Sequence, residues 1–162
     1  MNTSLNLPMS KRRPECPLTK SIEIIRQIKA RKKGRQKMTK VGIIRCEKNA
    51  DRCPLTSGLK SMRDGAEGFS GYTESELVGV FTCSCPGDNV ENLGKILKSK
   101  GAQSIHFCTC TFAHKQEGNW IMGSGFCPGI DDLLKRISKE AQISCVKGTA
   151  HLPEGYVPEV FA

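Results

Sequence analysis

Cysteine is the residue type in this chain with the clearest capacity for chemistry. The 162 residues contain nine cysteines. Two pairs have Cys-x-Cys spacing, Cys83 with Cys85 and Cys108 with Cys110. An odd count fits a closed disulfide framework poorly, and clustered cysteines in a reducing compartment more often bind metal or do redox chemistry than form structural bridges. The cysteines therefore predict a metal site or a thiol redox centre.

Strands and helices that alternate along the chain must position these thiols. Short apolar runs predict four strands, at residues 41–45, 76–82, 104–107 and 143–146. Helical spacing of apolar residues predicts helices behind Pro54, after Asp88 and from Pro128 onward. Such alternation is typical of right-handed βαβ units with helices on both sheet faces. We predict a single three-layer α/β domain with a four-stranded, mostly parallel, flavodoxin-like sheet.

Some local details follow from shorter patterns. Asp88 with Glu91 three residues later predicts a capping box at the start of the second helix. The segment between the third strand and the last helix, which contains Trp120, is predicted to be a loop. The Pro-rich tail from His151 onward is predicted to be irregular. Cys145 lies inside the fourth strand and is predicted to be a core residue.

The candidate ligands follow the ends of the predicted strands. Because working sites in such sheets lie beyond the carboxyl ends of the strands, we expect these side chains to meet at one edge. The predicted metal ligands are Cys46, Cys83, Cys85, Cys108, Cys110, His114, Cys127 and His151. Cys53, seven residues after Cys46, is left open between a site role and an incidental one. His106 is at least as well explained as a buried, hydrogen-bonded side chain.

Thiolates and imidazoles are ligands for zinc, and thiolates also suit iron–sulfur clusters or another transition metal. Cys85 and Cys127 precede predicted helix starts, where the helix dipole is expected to lower a thiol pKa. We predict zinc ahead of iron. The eight candidates exceed the needs of one four-coordinate ion, so some must be bystanders or a cluster must form.

From Val41 to Tyr156 the chain resembles the CGGC domain family, small prokaryotic proteins named for a central Cys-Gly-Gly-Cys and thought to bind zinc or another metal. The matching segments are Val-Gly-Ile-Ile-Arg-Cys-Glu-Lys-Asn at 41–49, Arg-Cys-Pro at 52–54, Phe-Thr-Cys at 81–83, Cys-Pro-Gly-Asp at 85–88, His-Phe-Cys-Thr-Cys-Thr-Phe-Ala-His at 106–114 and Gly-Thr-Ala-His at 148–151. The resemblance implies a metal-binding role through cysteines and histidines. Where the family has Cys-Gly-Gly-Cys, this chain has Cys83-Ser84-Cys85, which is one residue shorter.

The net charge of +9 lies in the N-terminal segment. Residues 1–37 contain 11 Lys/Arg and 2 Asp/Glu, whereas residues 38–162 contain 14 of each. We predict a basic extension at 1–37, either disordered or upstream sequence translated ahead of a natural start at Met38, and an α/β domain at 38–162. Nucleic-acid binding is expected only through this extension. The sequence shows no run of apolar residues long enough for a membrane span and no signal peptide, which predicts a cytoplasmic protein.

A second function class uses the same thiols. A thiol oxidoreductase or redox sensor needs cysteines of low pKa beside a partner thiol. Against this reading, the strand–Cys-x-x-Cys–helix pattern of thioredoxin-like proteins is absent from the sequence. No catalytic reaction and no oligomeric state are predicted.

Overall fold

The computed structural model describes residues 38–162, so the predictions for the basic extension lie outside the described residues. Strands and helices alternate through this region, as the sequence predicts. The strands are β1 (Thr39–Cys46), β2 (Ser75–Cys83), β3 (Ser104–Phe107), β4 (Ala113–Gln116), β5 (Asn119–Met122), β6 (Ser144–Lys147) and β7 (Glu159–Phe161). The helices are α1 (Thr56–Asp64), α2 (Val90–Ser99) and α3 (Ile130–Ala141).

The main sheet has five strands in the order β2-β1-β3-β6-β7. The first four are parallel, and β7 pairs with β6 in the antiparallel sense. The predicted four-stranded sheet is therefore wrong by one strand, because β7 lies in the tail predicted to be irregular. The parallel strands follow the beginning of a flavodoxin-type order, but the fifth position is antiparallel. The flavodoxin-like assignment remains a prediction.

Helices cover both faces of the sheet, and β1 supplies side chains to both. Val41 and Ile43 belong to a buried cluster that contains Leu55 at the start of α1. Ile44 faces the other way, into a larger cluster with side chains of α2 and α3. Successive side chains of a strand point to opposite faces, so this alternation places the two clusters on opposite sides of the sheet.

The predicted helices exist, but the predicted cap of α2 does not. In α3 the apolar side chains at residues 130, 133, 134 and 137, which have helical spacing, are all buried. The capping box is wrong because α2 begins at Val90 with Asn89 as its N-cap residue, and no side chain caps it. The Val90 N–H instead donates to the Gly87 carbonyl in a turn.

The segment predicted to be a loop around Trp120 forms a hairpin. Strands β4 and β5 pair in the antiparallel sense through a two-residue turn, Glu117-Gly118, in which both residues have positive φ. That conformation is typical of tight hairpin turns. In residues 38–162 no helix is long and apolar enough to cross a membrane.

Candidate metal and thiol site

Seven of the eight described cysteines, the six predicted ligands and Cys53, lie toward the carboxyl edge of the parallel sheet, but they line two separate spaces. Cys83 and Cys127 pack against the cluster beneath α2 and α3. Cys108 and Cys110 belong to the cluster beneath α1, and Cys53 packs against it. The expectation of a single shared pocket is therefore too simple, because the edge of the sheet separates the thiols by face.

The four-cysteine cleft is the space lined by Cys46, Cys83, Cys85 and Cys127. Its free volume is about 20 Å³, close to the space needed by one water molecule. Cys46 and Cys83 end neighbouring strands and lie opposite each other in the β1–β2 ladder. Cys127 comes from the segment before α3, where its backbone N–H donates to the Thr111 carbonyl at 2.9 Å. Three chain segments thus contribute thiols to a space of atomic size: the end of β1 and the segment before α3 give one each, and the 83–85 loop gives two.

The loop that carries Cys83 and Cys85 is held from β1 and from α3. The Glu47 carboxylate accepts a hydrogen bond from the Cys85 backbone N–H at 2.6 Å. This bond, the largest cause, and a second from Ser84 hold the pKa of Glu47 below its usual value. At Gly87, which has φ of +92°, a Cβ atom would lie 3.0 Å from a Leu133 methyl group. The shortened Cys-Ser-Cys loop therefore still directs both cysteines to the same cleft.

Burial determines the acidity of the cleft thiols. The pKa of Cys83 is raised to about 11, chiefly by burial and in smaller part by the nearby thiols of Cys127, Cys46 and Cys85. Burial is also the largest cause of the raised pKa values of Cys46 and Cys127. The predicted low pKa of Cys127 is wrong, because desolvation outweighs the hydrogen bond from the Gly129 backbone at the start of α3. Cys85 is exposed and lies five residues before α2, outside its first turn.

The three-cysteine cavity is the space lined by Cys53, Cys108 and Cys110, on the α1 side of the sheet. Its free volume is about 200 Å³. Cys108 continues the β1–β3 ladder, since its N–H donates to the Ile44 carbonyl at 3.2 Å. Cys53 is fixed by its own N–H, which donates to the Asn49 carbonyl at 2.9 Å. Cys53, whose role the sequence left undecided, thus lines the cavity together with Cys108 and Cys110.

The thiols of this cavity are more deeply buried than those of the cleft. The pKa of Cys108 is raised to about 12, chiefly by burial and in smaller part by the neighbouring thiols of Cys110 and Cys53. Burial likewise raises the pKa of Cys110 to about 11, against a lowering effect of the Asn49 side chain. Near neutral pH both thiols are protonated, so a ligand that binds thiolates must displace protons.

Arg45 connects the two thiol groups and was not recognised from the sequence as a site residue. It lines the four-cysteine cleft, and its Nη1 donates to the Cys53 carbonyl at 3.3 Å. Its Nε donates to Thr82 Oγ1 at 2.9 Å, which fixes the guanidinium at the end of β1. The sequence signal that could have identified Arg45 is a charged residue near the end of an otherwise apolar strand. Its positive charge lowers the pKa of Cys108, against the larger effect of burial.

The three histidines have different surroundings. His151 is exposed, lines the three-cysteine cavity and stacks on Trp120 at 5.4 Å with nearly parallel rings. His114 lies on β4, and its Nδ1 donates to the Gly123 carbonyl at 2.8 Å. It lines a different cavity, which it shares with Cys110. His106 is fully buried, and Cys145 is too, as expected of core residues.

Both groups of donors fit a thiophilic ion by their chemistry, because four thiolates, or three with an imidazole, are common zinc ligand sets. In residues 38–162, however, no three Cys, His, Asp or Glu side chains stand arranged to hold an ion. The thiols line their spaces without surrounding a common point. Rotation of cysteine side chains is therefore required before four donors can meet.

These features define a cysteine-rich α/β domain whose thiols gather at the carboxyl edge of a mostly parallel sheet. A family model, the CGGC domain, matches residues 40–150. The chain belongs to the CGGC domain family, which confirms the resemblance of its sequence motifs. No curated protein and no solved structure matches the chain.

Proposed function

We propose that this domain binds a metal ion, zinc ahead of iron or an iron–sulfur cluster, through Cys46, Cys83, Cys85 and Cys127. The observation that carries the proposal is that these four cysteines line one cleft of about 20 Å³. Zinc–sulfur bonds of about 2.3 Å in a tetrahedron need a space of this scale. Membership of a cysteine-rich family supports the same function.

The chain's own residues have three tasks in this proposal. The four cysteines supply sulfur donors, and each must lose a proton to do so. Arg45, at the edge of the cleft, favours the negatively charged ligand set. Glu47 positions the loop through its hydrogen bond to the Cys85 N–H. Bound zinc would supply a fixed tetrahedral link between β1, β2 and the segment before α3.

Metal analysis of matched variants tests this function. The full chain is equilibrated with zinc, freed of excess ion by gel filtration and analysed for zinc per chain. The double variant Cys83→Ser/Cys85→Ser is expected to lose about one zinc ion per chain relative to the parent, because two of four ligands are removed. Cys145→Ala is the matched control, since it removes a thiol buried in β6 that lines neither space. Equal zinc content in the double variant and the parent would contradict the proposal.

Thiol redox chemistry is the second candidate, favoured by one observation. Cys46 and Cys83 lie opposite each other on neighbouring strands, so they are the natural pair for an intramolecular disulfide. That oxidation joins two thiols and gives two electrons and two protons to an oxidant. The raised pKa values of both thiols weigh against it, because the thiolate is the reactive form. Protein that holds no zinc and forms a reversible Cys46–Cys83 disulfide would favour redox function over metal binding.

Two further statements from the sequence remain proposals. One is a cytoplasmic location, which would keep the thiols reduced. The other is a separate basic extension at residues 1–37. The intact mass of the natively expressed protein would establish whether translation starts at Met1 or at Met38.

A further inference from the structure

The three-cysteine cavity has a fourth donor at its rim. His151 lies four residues after the end of β6 and lines the same space of about 200 Å³ as Cys53, Cys108 and Cys110. Its backbone φ of +60° is uncommon for a residue with a side chain. The ring stacks on Trp120 of β5, which fixes its plane beside the cavity. Three thiols and an imidazole therefore come from three separate segments to one space.

This second donor set is separate from the four-cysteine cleft. The thiols of the cavity belong to or pack against the cluster beneath α1, whereas Cys83 and Cys127 pack beneath α2 and α3. The cysteine thiols that line the cleft do not line the cavity. Two ions would thus be bound on opposite faces of one sheet edge, with Arg45 between them.

We propose that Cys53, Cys108, Cys110 and His151 form a second zinc site of Cys₃His type, so that the domain binds two ions rather than one. The inference extends the proposed metal binding and rests on it. It also accounts for the number of donors at this edge, since two tetrahedral ions use seven cysteines and one histidine. His114, which lines another cavity, is not a ligand of either ion.

Thiolate formation at this site needs a strongly thiophilic ion. Cys108 and Cys110 are 5% and 7% exposed, so their charged forms are poorly solvated without a bound cation. A hard cation such as magnesium, which prefers oxygen ligands and keeps its water, does not compensate for that desolvation. Zinc or another thiophilic ion does.

The test compares two double variants of the full chain under the zinc-loading procedure given above. Cys53→Ser/His151→Gln changes the two least buried donors of the cavity, which limits the effect on folding. The parent is expected to hold about two zinc ions per chain, and each double variant, this one and Cys83→Ser/Cys85→Ser, about one. Combining the four substitutions should remove both ions, while Cys145→Ala should keep both.

A second measurement protects the result against misfolding of a variant. Alkylation of the zinc-loaded parent, mapped by mass spectrometry, should leave Cys53 and Cys85 unmodified, and a chelator should expose both thiols. Cys53 is the informative thiol of the cavity and Cys85 of the cleft, because each is among the more accessible donors of its group.

The possible outcomes separate the two proposals. A parent with about one zinc, unaffected by Cys53→Ser/His151→Gln, would overturn the second site and leave the cleft standing. A parent with about one zinc, lost only in Cys53→Ser/His151→Gln, would overturn the proposal for the cleft and support the one for the cavity. One zinc lost in both variants would mean a single ion shared between the groups and would overturn the two-site inference. No bound zinc in the parent would overturn both proposals.

Discussion

At the scale of single residues, His106 shows how the core uses one defined protonation state. Its Nδ1 lies 3.2 Å from the Gly148 carbonyl, which can only accept, so Nδ1 carries the proton. Its Nε2, 3.1 Å from the Tyr72 hydroxyl, therefore accepts. The hydroxyl of Tyr72 is also 3.0 Å from Ser104 Oγ, and the ring of His106 stacks on Phe69 at 4.3 Å. The neutral imidazole satisfies every polar group of this small network.

This network predicts loss of stability in acid. Burial lowers the pKa of His106 from 6.5 to about 4, so the folded protein resists a proton that the unfolded chain accepts. The stabilisation is present above pH 6.5 and is lost as the pH falls towards 4. On the order of 2 kcal/mol of unfolding free energy should disappear between pH 7 and pH 4.5. Urea unfolding at several pH values measures this slope.

Two matched variants, His106→Phe and His114→Gln, separate the contribution of His106 to the acid sensitivity from that of other groups. His106→Phe should be less stable at pH 7, because Tyr72 and Gly148 lose a partner, but its stability should depend less on pH. His114→Gln removes a histidine outside the core and should keep the slope of the parent. An unchanged slope in His106→Phe would show that other groups cause the acid sensitivity.

At the scale of elements, α2 and α3 approach each other closely at Gly94. A Cβ atom there would lie 2.6 Å from Ile137 Cγ2 and 3.3 Å from Ala141 Cβ. Helix propensity alone predicts that Gly94→Ala stabilises by about 1 kcal/mol. Overpacking of a buried contact costs about 1–3 kcal/mol, so we expect net destabilisation of about 1 kcal/mol.

Gly58 offers a matched control in α1. A Cβ at this helical glycine would meet only ordinary contacts, the nearest at 3.7 Å from Thr149 Cβ. Gly58→Ala is therefore expected to stabilise by up to about 1 kcal/mol. Thermal or urea unfolding of both variants measures the difference. A stabilised Gly94→Ala would show that the two helices separate without cost.

The elements also show which parts of the fold the sequence could predict. Helix α3 was predictable because its buried side chains follow the helix period, and strand β3 because its sequence alternates polar and apolar residues, although all four are buried. The hairpin β4–β5 was missed because its residues after Ala113 are polar or exposed apart from the half-buried Trp120, so no apolar alternation marks it. The Gly118 turn was its one local signal. Strand β7 was missed because its pairing with β6 is long-range and its residues 159 and 160 are exposed.

The sequence could predict that the thiols lie at one edge of the sheet, but not that they separate into the four-cysteine cleft and the three-cysteine cavity. Parallel topology placed the strand ends at one edge, which correctly grouped the cysteines that follow β1, β2 and β3. The face that each thiol takes depends on turns after the strands, such as the short helix at Thr109–Thr111 that carries Cys110. Such turns have no period to read. The same reason left Cys53 undecided and Trp120 without a role.

At the scale of the whole molecule, the buried thiols connect stability, pH and metal. Burial raises the pKa of Cys108 and Cys145 to about 12 and of Cys110 to about 11. Each thiol stays protonated in the folded metal-free protein at pH values where the unfolded chain loses its proton. This contribution to stability is fully present below pH 9 and is lost as the pH rises through 11 to 12.

Bound metal should weaken this dependence of stability on pH, which gives a prediction for the molecule as a whole. Without metal, the unfolding free energy should fall above pH 9 by about 1 kcal/mol per pH unit for each of these three thiols. Zinc binds the thiolates of Cys108 and Cys110 in the proposed second site, so the loaded protein should lose stability less steeply, leaving Cys145 as the remaining contributor. At neutral pH, zinc at a hundred times its dissociation constant should add about 2.7 kcal/mol per site, and this gain should grow as the pH rises because fewer protons must be displaced. Thermal unfolding with zinc, with magnesium and with a chelator, at pH 7, 9 and 10.5, measures these effects. Stabilisation by magnesium equal to that by zinc, or a zinc effect independent of pH, would mean that the thiols are not the ligands and that the gathered cysteines at this sheet edge have another purpose.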